Sequence, residues 1–378
     1  MYVMKFGGTS VGNAQRVESV CRIVEAQPLP RAVVVSAASG VTNLLLEAAR
    51  CAAEGHLDGR AAAVAAIREK HAEVASGISA ESERMGAISI LDQLHAALDD
   101  RLDEIAAAGL VSTRLSDSIV STGEKAMSVM TAATIRSRGT PAIHAWADRY
   151  LATDDRFGNA RPNRERTREQ MAPLLPELRG GVTVVFTGFI GGAPDGSTTT
   201  LGRGGSDYSA TLIGAALDAT EVQIWTDVPG VLTADPRQVA EARVIPAVSY
   251  DEAQELAHFG AKVLHPRTIR PAVSRGIPVR ILSTFLPEEP GTLVTRDASN
   301  DNVKAVTALK NLLLLTIDVP ELEDLAGASA EVFAALHHAR IEIASVSQAS
   351  SRRRMTYLVD PGAHGGCANV RALLDDAL

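Results

Sequence analysis

Residues 2–10 read Tyr2-Val3-Met4-Lys5-Phe6-Gly7-Gly8-Thr9-Ser10. An apolar run carries a lysine near its end, two glycines follow, then two hydroxyls. Asn13–Ala26 comes next, with Val17, Val20, Cys21 and Val24 at three- and four-residue steps, the period of a helix with one buried face. Ala32–Ser36 is an apolar, β-branched run, and Ala37–Asn43 is a loop of small residues. Strand, Gly-rich turn, helix and strand in that order predict an α/β domain on a largely parallel sheet. The turn carries chemistry too. Glycine lets backbone N–H groups approach an oxyanion, a helix N-terminus adds positive potential, and Lys5 supplies a full charge for a phosphoryl group. The same pattern also makes an ordinary tight strand-to-helix turn. GxxxxGK[ST] occurs nowhere in the chain, and this turn is not GxGxxG, so a dinucleotide site has no support.

Working outward, Leu44 to Ala108 is rich in Ala, Leu and charged residues and has no Pro, which predicts two or three long supporting helices. A helical pattern continues over Ile119–Arg138. Strands are expected at Ala142–Ala145, Val182–Thr187, Glu221–Thr226 and Pro278–Leu282. Thr198–Tyr208 (TTTLGRGGSDY) repeats the design of the first turn, with Asp207 at the start of the apolar helix Tyr208–Leu217. Two such turns can hold both ends of a nucleotide's phosphates. Asp207 also reads as a plain carboxylate on a helix dipole. Trp225–Arg237 (WTDVPGVLTADPR) reads as a hairpin with a capped exit; Arg237 and Lys262 suit phosphates or plain solvation. Ser249-Tyr250-Asp251-Glu252 has capping-box spacing. Thr295–Asn302 is polar and aperiodic, a linker pattern. Beyond it, Leu312–Ile317, Ala326–Ala339, Ile341–Val346, Met355–Val359 and Cys367–Leu378 alternate as β-α-β-β-α, the series of a small α+β sandwich.

Composition narrows the function. The 378 residues suffice for two or three domains of ~150 residues each. Thirty-seven Lys and Arg against 45 Asp and Glu give a net charge of −8, and only 4% of residues are aromatic, which argues against nucleic-acid binding. Cys21, Cys51 and Cys367 are odd in number and form no CxxC pair. That excludes a disulfide scaffold and a thiolate zinc site, and it suits the cytoplasm. No apolar run nears the ~20 residues of a membrane span. The N-terminus enters a strand at once, unlike a signal peptide.

The two turns belong to a longer ordered series: KFGGTS at Lys5–Ser10, SAASGVTN at Ser36–Asn43, Gly123-Glu124, DDRFG at Asp154–Gly158, TTTLGRGGSDYSA at Thr198–Ala210, TDVPG with TADPR, and FGAKVLHP at Phe259–Pro266. This series, covering about Met1 to Val294, resembles the aspartate kinase family of the amino acid kinase fold. The tail resembles that family's ACT regulatory module. The resemblance implies an amino acid kinase three-layer αβα sandwich over residues 1–295 and a single α+β, ferredoxin-like ACT domain over 303–378. It implies ATP and Mg2+ as cofactors and L-aspartate as substrate. The product would be 4-phospho-L-aspartate, on the way to lysine, threonine and methionine.

Carried over by motif position, Lys5 stabilises the transferring phosphoryl group, and Asp207 supports the active site. Gly7, Gly8, Ser10, Gly204 and Gly205 line the phosphate pocket. Ser36, Thr42, Glu124, Arg203 and Ser206 hold the substrate, with Glu124 on its ammonium. Thr226, Asp227, Arg237, Lys262 and Val263 contact the nucleotide, and no dedicated metal ligands are expected. No protein base is required, because a carboxylate acceptor is already ionised at pH 7. The resemblance also implies a homodimer through the ACT-like region. Departures are visible. Many members carry an arginine just before TTTLGRGGSD, where this chain has Ser197, and a hydroxyl cannot replace a bidentate guanidinium; Arg203 or Arg156 would then hold the substrate carboxylate. Leu232 stands where a tyrosine is usual. Ser350-Ser351-Arg352-Arg353-Arg354 replaces a Ser-Glu pair of the effector site, an expectation of altered feedback by lysine or threonine. The tail holds one module and stops in a helix. The alternatives are a kinase of this fold for another amino acid or dicarboxylate, and a weakly catalytic regulatory or assembly subunit.

Overall fold

A computed structural model describes residues 1–259, 266–297, 303–318, 325–349, 354–361, 370 and 372. The chain divides into two compact units, Met1–Val306 and Thr307–Leu378.

In the first unit the chain runs through β1 (Tyr2–Phe6), α1 (Ala14–Ala26) and β2 (Arg31–Val35). Four helices follow: α2 (Val41–Ala53), α3 (Leu57–Ser76), α4 (Glu81–Ala108) and α5 (Thr113–Ser137). Then come β3 (Ala142–Ala145), α6 (Arg164–Met171), α7 (Leu175–Arg179), β4 (Thr183–Thr187), the short β5 (Ile190–Gly192) and β6 (Thr198–Thr200), and α8 (Gly205–Ala216). The unit closes with β7 (Glu221–Thr226), β8 (Ala247–Ser249), α9 (Tyr250–His258), α10 (Pro266–Val273), β9 (Val279–Ser283) and β10 (Thr292–Thr295).

Eight strands form one sheet in the order β3-β4-β2-β1-β7-β9-β10-β8, with β5 and β6 as a separate antiparallel hairpin. All pairs in the large sheet are parallel except β9 with β10. Side chains alternate across it with the strand period of two. Met4, Phe6, Val33 and Val35 pack under α1–α5, whereas Val3, Ala32 and Val34 pack against the layer of α6–α10. Both faces are thus covered, giving three layers. Each fully buried Val or Phe contributes about 1.5–3 kcal/mol to holding them together. That double burial explains why the strands read as unbroken apolar runs.

Several boundaries differ from the sequence expectation. α5 starts at Thr113, ahead of Ile119, because the Ser112 side chain caps it by accepting from Leu115 N at 3.2 Å. α8 starts at Gly205, so Asp207 lies inside its first turn. Residues 225–237 form no hairpin of their own. A single antiparallel bridge between Leu232 and Val244 closes a longer loop after β7. β5, β6, β8 and β10 are too short to show a period.

The second unit holds β11 (Leu313–Asp318), α11 (Leu325–His338), β12 (Glu342–Ala349) and β13 (Arg354–Asp360), an antiparallel sheet ordered β11-β13-β12. Leu315, Met355, Tyr357 and Val359 on one face pack with Val332 and Leu336 of α11. Leu314 and Val346 are exposed. The basic run at 350–353 and nearly all of the expected final helix lie outside the described residues. Among the described residues no helix is long and apolar enough to cross a membrane.

Candidate active site

β1, β2, β4 and β7 are parallel and end along one edge of the sheet. From β1 the chain steps outward to β2, then returns on the other side of β1 as β7, so β1 marks the point where strand order reverses. Crevices at such points are where open α/β sheets bind ligands. Here Gly7 N donates to Trp225 O at 3.2 Å, Ser36 N to Phe6 O at 3.2 Å and Gly188 N to Val35 O at 2.8 Å, tying the loops after the strands together. Above them lies a cavity of about 620 Å³.

Lys5 enters this cavity from β1, and its Nζ lies 2.6 Å from Asp207 Oδ1 in the first turn of α8. The two side chains are mostly buried, so their attraction is little screened. The turn after β1 comes so close to the loop after β2 that a Cβ on Gly8 would lie 2.7 Å from the Ala37 carbonyl oxygen. Only glycine tolerates that approach. A second close approach sets the opposite wall. A Cβ on Gly123 would lie 2.7 Å from that of Ala37, and its absence lets α5 press against the loop. Glu124 is thereby delivered to the cavity floor, only 3% exposed, with Oε1 accepting from Ala37 N at 3.2 Å. Its Oε2 has no partner among the described residues. Burial pushes the Glu124 carboxyl up to about 8, with the Ala37 N–H pulling the other way. A buried carboxylate without a cation beside it is a ready site for an ammonium group.

Lys5, Gly7, Gly8, Ser36, Thr42, Glu124, Arg203, Gly204, Gly205, Ser206 and Asp207 all line this one cavity. Ser10 does not. It is fully buried behind the turn, its hydroxyl 2.7 Å from Thr284 Oγ1, because the bond from Ser10 N to Gly7 O turns the residue away from the opening. Thr226 and Asp227 stand at the end of β7, outside the lining, and Thr226 Oγ1 donates to Asp227 Oδ1 at 3.1 Å. Arg237 is 82% exposed and paired with Asp235 at 2.7 Å, a contact that holds the Asp235 carboxyl well below the usual carboxylate range. Lys262 and Val263 lie outside the described residues. Ser197 sits in the β5–β6 turn, its N–H on Asp195 Oδ1 at 2.9 Å, and does not line the cavity. Arg156 is held by Asp154 at 3.4 Å and does not line it either. Arg203 is thus the arginine in the lining of this cavity, and the departure at Ser197 leaves it in place.

Sequence reasoning missed Asp117. It is buried on α5, accepts from Thr200 Oγ1, Thr200 N and Gly158 N at 2.8 Å each, and so pins β6 and the Asp154–Gly158 loop to the helix. The signal was there in kind: an acid inside an otherwise apolar helical pattern. Asn43 was quoted within a motif but not picked as a lining residue, and Phe189 was not singled out; both line the cavity.

The chain matches the model of the amino acid kinase family over residues 1–283. It is 38% identical over 356 residues to lysine-sensitive aspartokinase 3 of Escherichia coli, an alignment covering 92% of this chain and 76% of that protein. It is 34% identical over 370 residues to the chloroplastic bifunctional aspartokinase/homoserine dehydrogenase 1 of Zea mays, covering 94% of this chain and 40% of that protein. It therefore spans less than half of that bifunctional relative. Among solved structures, E. coli aspartokinase III in complex with aspartate and ADP superposes with a TM-score of 0.82 at 34% identity, covering 100% of this chain and 83% of that one. With its sequence, its sheet and its Gly-rich cavity all in agreement, the chain belongs to the amino acid kinase family, among the aspartokinases.

Proposed function

We propose that this chain is an ATP-dependent aspartate kinase, phosphorylating the side-chain carboxylate of L-aspartate to 4-phospho-L-aspartate. One observation carries the reading: a cation, Lys5, and a buried carboxylate without a counter-ion, Glu124, share one cavity between two Gly-rich turns. Glu124 Oε2 takes the substrate ammonium and Arg203 a substrate carboxylate, with Ser36, Thr42 and Ser206 as hydroxyl contacts. That leaves the second carboxylate as the nucleophile, already ionised. Lys5 and the backbone N–H groups of Gly7, Gly8, Gly204 and Gly205 neutralise charge on the transferring phosphoryl group. Asp207 holds Lys5 in place, and Ser10 acts from behind by fixing the turn. The work of the site is positioning and charge neutralisation. The nucleotide extends over the end of β7, past Thr226 and Asp227, towards Arg237, Lys262 and Val263.

Among the described residues no three His, Cys, Asp or Glu converge as a metal cage. Mg2+ keeps its waters and is commonly held by nucleotide phosphates and one or two carboxylates. Asp207 is the carboxylate in place, and the ion's contribution when bound is further neutralisation of phosphate charge.

An ADP-release assay over a panel of amino acids and dicarboxylates tests this. Aspartate is expected to lead in kcat/KM by about tenfold or more, and Lys5→Ala to lower kcat by about 10³. Another acid leading would reassign the substrate; no ADP release with any acid would remove the activity. The second unit is read as an ACT-like regulatory module that pairs with a second copy through its exposed strand residues, Leu314 and Val346 among them. A single-chain mass by light scattering would overturn that pairing.

A further inference from the structure

Lys125 follows Glu124 on α5 but opens on a different cavity, of about 450 Å³. Trp146, Asp148 and Arg149 line it from the segment after β3, Arg166 from α6 and Thr198 from β6. At its base Lys125 Nζ lies 2.6 Å from Asp148 Oδ2, and Thr198 Oγ1 donates to the same oxygen at 2.7 Å. The Lys125 and Asp148 side chains are 12% and 11% exposed, so this pair is part of the protein's interior. Above it, the Trp146 ring has two cations near its centroid, Lys125 Nζ and Arg149 Cζ, each at 5.3 Å.

Asp148 neutralises Lys125 through Oδ2, and its Oδ1 is buried with no partner among the described residues. Arg149 and Arg166 line the same concavity from its solvent-exposed side, and neither has an acidic partner among the described residues. With no fixed carboxylate to hold them, both guanidiniums can turn to an anion in the hollow. The Trp146 Nε1–H is also buried with no acceptor, an uncommon state for an indole donor. The volume lies within the range of small-molecule pockets, and a guanidinium fork matches carboxylate and phosphate oxygens. We infer that this cavity binds a compact organic dianion, a phosphate ester or a dicarboxylate, between Arg149 and Arg166, apart from the Lys5–Glu124 cavity.

The chain has two tryptophans, so Trp225→Phe leaves Trp146 as its sole indole reporter, placed in this cavity. We would titrate its fluorescence with inorganic phosphate and separately with malonate, at constant ionic strength. A saturable change with a Kd below about 1 mM is expected for at least one of them. Arg149→Ala/Arg166→Ala on the same background should weaken it by about tenfold or more. Lys5→Ala should leave it unchanged, which separates it from anion binding at the first cavity. Saturation by phosphate alone assigns a phosphate ester, and by malonate alone a dicarboxylate. Lack of saturation up to about 20 mM by both anions, or an identical titration in the double arginine variant, would overturn the inference. If Trp225→Phe does not fold by circular dichroism, calorimetry of the Lys5→Ala chain with and without the two arginine substitutions gives the same decision.

Discussion

Glu124 and Lys125 are neighbours on one helix, about 100° apart around its axis, and they meet opposite fates. Both are largely buried. Lys125 has Asp148 within 2.6 Å and Thr198 within 3.3 Å. Among the described residues Glu124 has one backbone N–H, no cation and a bare oxygen. Burial by itself therefore does not mark function. A buried charge that the fold has already balanced is scaffold. A buried acid that the fold leaves without a counter-ion carries a cost of ionisation that a cationic ligand can relieve.

The comparison is most exposed to Glu124→Gln. The amide keeps the shape and the Ala37 contact but offers an ammonium no charge. We expect kcat/KM for aspartate to fall by about 10²-fold, mostly through KM, since the interaction is made in the ground state as well. A fall of less than about threefold would place the ammonium elsewhere.

The same substitution should raise stability, and pH shows why. Burial raises the folded pKa of Glu124 from 4.5 to about 8. A carboxyl raised in this way contributes its stability in full below the unfolded value and loses it as pH climbs through the folded one. The wild type should therefore match Glu124→Gln near the acidic end of that window and fall behind it by about 5 kcal/mol at the alkaline end. Urea unfolding on both sides of the window checks this. The aspartate KM of the wild type should improve as Glu124 ionises over the same window, and that slope should vanish in the amide. An equal stability gap at both ends would mean that the carboxyl is ionised throughout.

How much of this was legible beforehand follows from what each residue needs. The Gly-rich turns were, because close backbone approach demands glycine, and Gly8 shows that demand directly. The double-sided sheet was, because Ala32–Ser36 and Val182–Thr187 could only be buried on both faces. Ser10 was misplaced because a tight turn decides side-chain direction, and spacing along the chain does not report it. The 225–237 segment was misread because its pairing partner, Val244, is distant in sequence. Asp117 and the Lys125–Asp148 pair were invisible as sites because their partners come from β6 and from the segment after β3, which only the fold brings together. Glu124 came from a motif; its lack of a counter-ion is a fact of packing.

The smallest effects test the other half of the comparison. If Lys125 is scaffold, removing it should hurt stability and removing both partners should not. Lys125→Met leaves Asp148 buried with only Thr198 for company, and we expect a loss of about 2–3 kcal/mol, less than for a fully enclosed pair because some water reaches it. Lys125→Met/Asp148→Leu removes the stranded charge as well, and should lie within about 1 kcal/mol of the wild type, since the desolvation of both ions is then relieved along with their attraction. Chemical denaturation of the two variants decides. A double variant as unstable as the single one would mean that Asp148 is needed for its own sake, through Thr198 and the start of the 201–205 turn, and the line drawn between the neighbours on α5 would have to move.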